Sequence, residues 1–151
     1  MTPYPIVIVT PEREMFRGEA QMLILRGTLG DMGVLAHHQP LVTGVEPCVV
    51  HLRQSDGEHR LAASGGFLEV RSDGVTLLLE GAEWPEDIDV DRARRALERA
   101  EARLSSPGPD VDRPRAQRAR LKALARLEVR GQRPESERAH APAEAGAAHR
   151  T

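Results

Sequence analysis

The chain has 151 residues, of which 40% are hydrophobic and 29% charged, with a net charge of −2 and an isoelectric point near 6.3. That suffices for one domain with a proper core plus an appendage, excludes disorder throughout, and gives no general pull toward nucleic acid or anionic lipid. Cys48 is the lone cysteine, which excludes an intrachain disulfide and a thiolate metal cluster and fits a reducing cytoplasm. No apolar run nears the roughly 20 residues of a membrane span. The first residues lack the basic-then-apolar pattern of a secretion signal, so membrane contact is expected only through a partner.

In chain order, the β-branched run Ile6-Val7-Ile8-Val9 predicts a strand over 4–10, stopped by Pro11. Residues 14–17 predict a second strand ending at Gly18, and 20–26 a third. Next comes Gly27-Thr28-Leu29-Gly30-Asp31-Met32-Gly33-Val34-Leu35-Ala36-His37-His38-Gln39-Pro40-Leu41. Its glycines and proline predict a shaped loop between strands. Leu29, Met32, Val34 and Leu35 are expected to pin it to the core, while Asp31 and the histidines face outward.

After the apolar run 41–45, residues 48–53 alternate as a strand. Asp56-Gly57 predicts a tight hairpin with positive φ at its centre, and 60–63 returns. Ser64-Gly65-Gly66 predicts a bulge or sharp bend. Residues 67–71 and 75–79 flank a second Asp-Gly hairpin at Asp73-Gly74. So many short strands with hairpin signals predict an all-β sandwich or barrel over residues 1–86.

From Asp87 the periodicity becomes helical. Asp89 is the expected cap of a first helix whose apolar stripe is Ala93, Ala96, Leu97, Ala100 and Leu104. Ser105-Ser106-Pro107-Gly108-Pro109 ends it. Asp112 is the expected cap of a second helix, with Pro114 in its first turn, running to about Val129 before Gly131. Leu121, Leu124 and Leu127, with Ala116, Ala119, Ala123 and Ala125, form its apolar face. An antiparallel hairpin of such alanine-rich helices, residues 87–131, buries little apolar area and is expected to be detachable. Residues 132–151 show no periodicity and are expected to be disordered.

Catalytic constellations are incomplete. His37 and His38 are adjacent, so they do not share a face as ligands of one metal, and no second ligand pair follows. Ser64 lacks the frame of a nucleophile elbow, and there is no phosphate loop. No catalytic residue and no metal ligand is assigned. The second helix carries Arg113, Arg115, Arg118, Arg120, Lys122, Arg126 and Arg130 against one acid, Glu128, which suits an acidic protein surface or a nucleotide phosphate. Without an aromatic residue for base stacking, the segment points away from nucleic acid.

In this order and spacing, Gly30-Asp31-Met32-Gly33-Val34-Leu35, His38-Gln39-Pro40-Leu41, Ser64-Gly65-Gly66-Phe67-Leu68-Glu69-Val70 and the helical hairpin resemble the epsilon subunits of bacterial F-type ATP synthases, over about residues 4–130. The resemblance implies a ten-stranded β-sandwich followed by a two-helix antiparallel hairpin, in a non-catalytic rotor subunit on the cytoplasmic side of the cell membrane. Its implied partners are the gamma subunit, the c ring and the catalytic alpha and beta subunits. Asp31 and His38 fall where the family contacts gamma and the ring. The family commonly has Pro-Gly before the histidine; here Ala36-His37 stands there, so the loop is expected to turn differently.

The resemblance further implies that the basic helix, through Arg115, Arg118, Arg120, Lys122 and Arg126, inhibits ATP hydrolysis when the hairpin extends. Some members bind ATP in the compact form through an Ile/Leu-Asp-x-x-Arg-Ala motif, matched here by Ile88-Asp89-Val90-Asp91-Arg92-Ala93. Glu83, Asp89, Arg92, Lys122 and Arg126 are the implied ATP contacts, ATP being a regulatory ligand and not a required cofactor. Two alternatives stay open: Asp89 and Arg92 as plain helix cap and ion-pairing residue, and the whole chain as a free nucleotide-sensing module with the hairpin as lid.

Overall fold

The computed structural model describes residues 1–131; the tail expected over 132–151 lies outside the described residues. Ten strands run in chain order as β1 (Tyr4–Val9), β2 (Glu14–Ala20), β3 (Met22–Gly27), β4 (Gly30–Val34), β5 (Leu41–Val45), β6 (Cys48–Gln54), β7 (Gly57–Ala63), β8 (Gly66–Arg71), β9 (Gly74–Leu79) and β10 (Ala82–Glu83). A short 3-10 turn, Pro85–Asp87, leads to α1 (Val90–Ser105) and α2 (Arg113–Val129). The strands pair in the order β10-β7-β6-β3-β5-β8-β9-β1-β2, with β4 on β3. All pairings are antiparallel except β1 with β9, which brings the first strand beside the ninth.

Strand alternation places every second apolar residue inside. Ile6 and Ile8 of β1, Leu23 of β3, Leu52 of β6, Leu61 of β7, Leu68 of β8 and Leu77 of β9 are all fully buried in one core. The Tyr4 hydroxyl donates to the Val34 carbonyl at 2.6 Å, tying the start of β1 to the end of β4. Cys48 packs on the same core, and burial pushes its thiol up to about 11, which suppresses its reactivity.

Several expectations are corrected. The segment after β3 is no open loop: Gly30–Val34 is strand, in register with β3 from Gly27↔Gly30 to Leu23↔Val34. Only its second half, from Leu35, connects as a loop. Of the four apolar residues expected to pin it, Val34 is buried and Met32 packs on the core, but Leu29 is 98% exposed and Leu35 46% exposed. Leu29 occupies the hairpin tip, where neither strand face covers it. The second strand continues through Gly18 to Ala20, because the Phe16 ring lies over the glycine where a Cβ would stand.

Both Asp-Gly hairpins form, displaced by one residue. The pairs Gln54↔Gly57 and Arg71↔Gly74 leave Ser55-Asp56 and Ser72-Asp73 as the central residues. The glycines follow the turn, at φ 139 and 154, and Gly30 repeats the pattern at φ 128 after Thr28-Leu29. Positive φ is therefore needed just past each turn and not at its centre, where Asp remains right-handed.

At Ser64-Gly65-Gly66 the bend is real and crowded. A Cβ on Gly66 would lie 2.0 Å from the Leu78 carbonyl oxygen, at φ +154. Gly66→Ala is therefore expected to cost about 3 kcal/mol or more, from combined clash and strain. Gly30→Ala, at φ +128 with nothing within 4 Å, carries strain alone, about 1 kcal/mol. Urea unfolding of both variants checks this; equal losses would show that backbone strain, not the close approach of β8 to β9, governs the bend.

Candidate functional site

The two helices form as their caps dictate. Asp89 accepts from the Arg92 backbone N–H at 3.0 Å, and Asp112 from that of Arg115 at 3.1 Å. Arg113 reaches back across the connection, donating to the Leu104 carbonyl at 3.0 Å and the Ser106 carbonyl at 3.1 Å. It thereby satisfies carbonyls that the end of α1 leaves without partners. Ala93, Leu97, Ala123, Leu124 and Leu127 close the interface between the helices.

Helix α2 also lies on the sandwich. Ala125 and Val129 pack with Ile88 against Val49 of β6 and Ala62 of β7. The single apolar face expected for α2 is thus two faces. Ala123 and Leu127 point to α1, whereas Ala125 and Val129, two positions on and so roughly 200° around the helix, point to the sheet. Leu121 and Ala119 are only half-buried.

A line of basic residues four apart runs beside this seat, facing the segment that links the last strands to α1. Arg118 meets Glu80 at 3.4 Å, the Arg126 Nε donates to Glu83 at 2.5 Å, and Arg130 donates to the Pro85 carbonyl at 2.9 Å. The Arg126–Glu83 pair is two-thirds shielded from water on both sides, so it is the least screened of the three. Lys122, half-buried between Arg118 and Arg126, has no ion-pair partner among the described residues, and Arg115 is exposed. Arg120 is half-buried on the same helix. Glu80 was not singled out from the sequence; its only signal there is its place in an acidic stretch facing a basic helix.

Of the five residues expected around ATP, Glu83 and Arg126 are in contact. One Asp89 oxygen is occupied in capping α1, and Arg92 is exposed. Elsewhere, Asp31 lies in β4 and accepts from Arg26 of β3 at 2.9 Å, a hydrogen bond that raises the Arg26 pKa further. His38 is half-buried, its Nδ1 2.8 Å from the Gln39 carbonyl. Together with Tyr4, Leu35, Arg71 and Asp73, His37 and His38 line a cavity of about 410 Å³ that does not include Asp31. His37 has φ 64, a left-handed geometry uncommon for a residue other than glycine.

Because Arg126 and Glu83 shield each other, removing either leaves a half-buried charge. Arg126→Gln and Glu83→Gln are each expected to loosen α2 by about 1 kcal/mol, and the double variant by less than the sum. Amide exchange along α2 measures this; additive effects would show that the pair does not hold the helix.

Comparison with known proteins follows the same division of the chain. Residues 4–85 match the family described as "ATP synthase, Delta/Epsilon chain, beta-sandwich domain", and residues 86–131 its "long alpha-helix domain". An ATP synthase epsilon chain of Brevibacillus brevis is 48% identical over 106 residues, covering 70% of this chain and 80% of the relative. One of Alkalihalophilus pseudofirmus is 44% identical over 110 residues, covering 73% and 83%. The fold is shared with a chain of the Euglena gracilis mitochondrial ATP synthase, at TM-score 0.69 and 24% identity over 93% of this chain and 83% of that one. With both parts matched in order and relatives near half identical, this chain belongs to the ATP synthase delta/epsilon chain family.

Proposed function

We propose that this chain is the non-catalytic epsilon subunit of an F-type ATP synthase, carried on the central stalk, with its helical hairpin acting as a brake on ATP hydrolysis. The observation that carries the braking role is the seat of α2: a basic helix held on the sandwich by a cluster of five apolar side chains and by the ion pairs to Glu80 and Glu83. The sandwich core, by contrast, contains seventeen buried residues, so the hairpin can leave without unfolding what it leaves behind. Released, Arg115, Arg118, Arg120, Lys122 and Arg126 face an acidic surface on the catalytic subunits, where charge complementarity holds them.

The sandwich contacts gamma and the c ring, and through them the chain is part of a membrane-associated complex on its cytoplasmic side. No helix among the described residues is long and apolar enough to cross a membrane. Asp31 and His38 contact these partners, and the fully exposed Leu29 beside Asp31 supports placing that contact at the β3–β4 tip, since an apolar tip gains by being covered. A complex whose subunit lacks residues 88–151 is expected to assemble and to hydrolyse ATP faster. Unchanged hydrolysis in that complex would remove the brake.

ATP is the regulatory ligand of the seated form. Lys122 supports this, being a half-buried ammonium without an ion-pair partner among the described residues, set between Arg118 and Arg126. Asp89 and Glu83 take the base and ribose side, and Arg92, Lys122 and Arg126 the phosphates. Isothermal titration with ATP is expected to give binding that Lys122→Ala weakens about tenfold, the loss of one charge-assisted contact. Lys122→Ala breaks none of the seat's ion pairs, so unaltered binding would exclude the site.

A further inference from the structure

Among the basic side chains of α2 stands one acid, Glu128, which neither the brake nor the ATP site uses. It stands in the last turn, against the negative end of the helix dipole, where a carboxylate opposes the helix unless a cation is near. Two positions past Arg126, it also lies roughly 200° around α2, away from the basic line.

The sheet order decides what each flank of α2 meets. Arg118, Arg126 and Arg130 reach Glu80, Glu83 and the Pro85 carbonyl in turn, so the helix runs alongside β10. Its seat is Val49 of β6 and Ala62 of β7, in the strand order β10-β7-β6-β3. With one flank on the β10 side, the flank of Glu128 looks toward β3. There the alternation that buries Leu23 and Leu25 turns Arg26 outward, onto the same face as the helix.

Arg26 thus stands between two carboxylates. Asp31 of β4 holds it at 2.9 Å, with the two side chains 44% and 47% exposed and so within reach of a partner. Glu128 is half-buried, and its charge reaches Arg26 with less screening than an exposed acid would have. The Arg26 pKa is raised first by the hydrogen bond to Asp31 and further by the charge of Glu128. The neighbouring Cys48 thiol, raised first by burial, is pushed up by the same two carboxylates.

We infer that Arg26 couples the β3–β4 tip to the seat of α2. While Asp31 accepts from it, the guanidinium is held toward the tip. When a cationic side chain of a partner engages Asp31, Arg26 turns to Glu128 and adds a tie on the flank of α2 that the basic line leaves bare. Contact at the tip then steadies the seated hairpin, and a seated hairpin strengthens the contact by the same factor. The trigger rests on the reading of Asp31 as a contact residue; the coupling belongs to this chain alone.

Amide exchange of the full chain at low ionic strength tests it, with Asp31→Asn standing for an engaged carboxylate. This variant is expected to slow exchange over residues 125–131 roughly threefold, the effect of one partly exposed ion pair. In a Glu128→Gln or an Arg26→Gln background, Asp31→Asn is expected to leave those rates unchanged. Unaltered protection at Val50 and Leu52 shows that the sandwich core stays intact. No slowing by Asp31→Asn alone would overturn the inference, as would the same slowing in the Glu128→Gln background, which would reduce it to net charge. Because no partner is present, a failure of the tip contact in the complex would remove the trigger without altering these rates.

Discussion

Helix α2 has to satisfy two surfaces at once, and the way it does so shapes the rest of the molecule. One side closes against α1 through Ala123, Leu124 and Leu127; the other rests on Val49 and Ala62 through Ala125 and Val129. Small side chains on both sides let three layers approach closely, but they withdraw little apolar area from water. What remains is supplied by charge, with Arg126 on Glu83 shielded enough to outweigh the surface pairs around it. An interface held this way is sensitive to salt and to any competing anion, which the sandwich interior is not.

The sandwich gains its rigidity from a different source. Its hairpins turn through two residues and relax into a left-handed glycine immediately afterwards, at Gly30, Gly57 and Gly74. This geometry lets Ser-Asp or Thr-Leu occupy the turn itself and leaves the tips free to carry other functions. Leu29 at one tip and Asp31 just inside it are displayed on a strand pair that Arg26 braces. A contact residue on a paired strand is held far more firmly than one on an open loop, because its backbone is fixed by the ladder on either side.

The two parts of the chain also divide the electrostatics. Carboxylates along the link between them, Glu80 and Glu83, occupy the same arginines that an external acidic surface would need. In the proposed brake the seat competes with any such partner, and its strength would set the threshold for release.

Much of this was legible in the residues alone. The β-branched runs, the Asp-Gly signals and the alanine-rich periodicity after Asp87 determined a sandwich followed by two helices, with both caps placed at Asp89 and Asp112. Those signals are local: a cap, a turn or an alternation needs only its neighbours in sequence. Tertiary structure decided the remainder. It made Gly30–Val34 a strand, because β3 was there to pair with it. It gave α2 a second buried face, which a single-face pattern cannot show because two opposed apolar lines cancel in the periodicity. It brought Arg126 to Glu83 across 43 residues of sequence and Arg118 to Glu80 across 38, while leaving Asp89 occupied as a cap. Which charges are paired and which are displayed depends on distances through space, and no spacing along the chain encodes them.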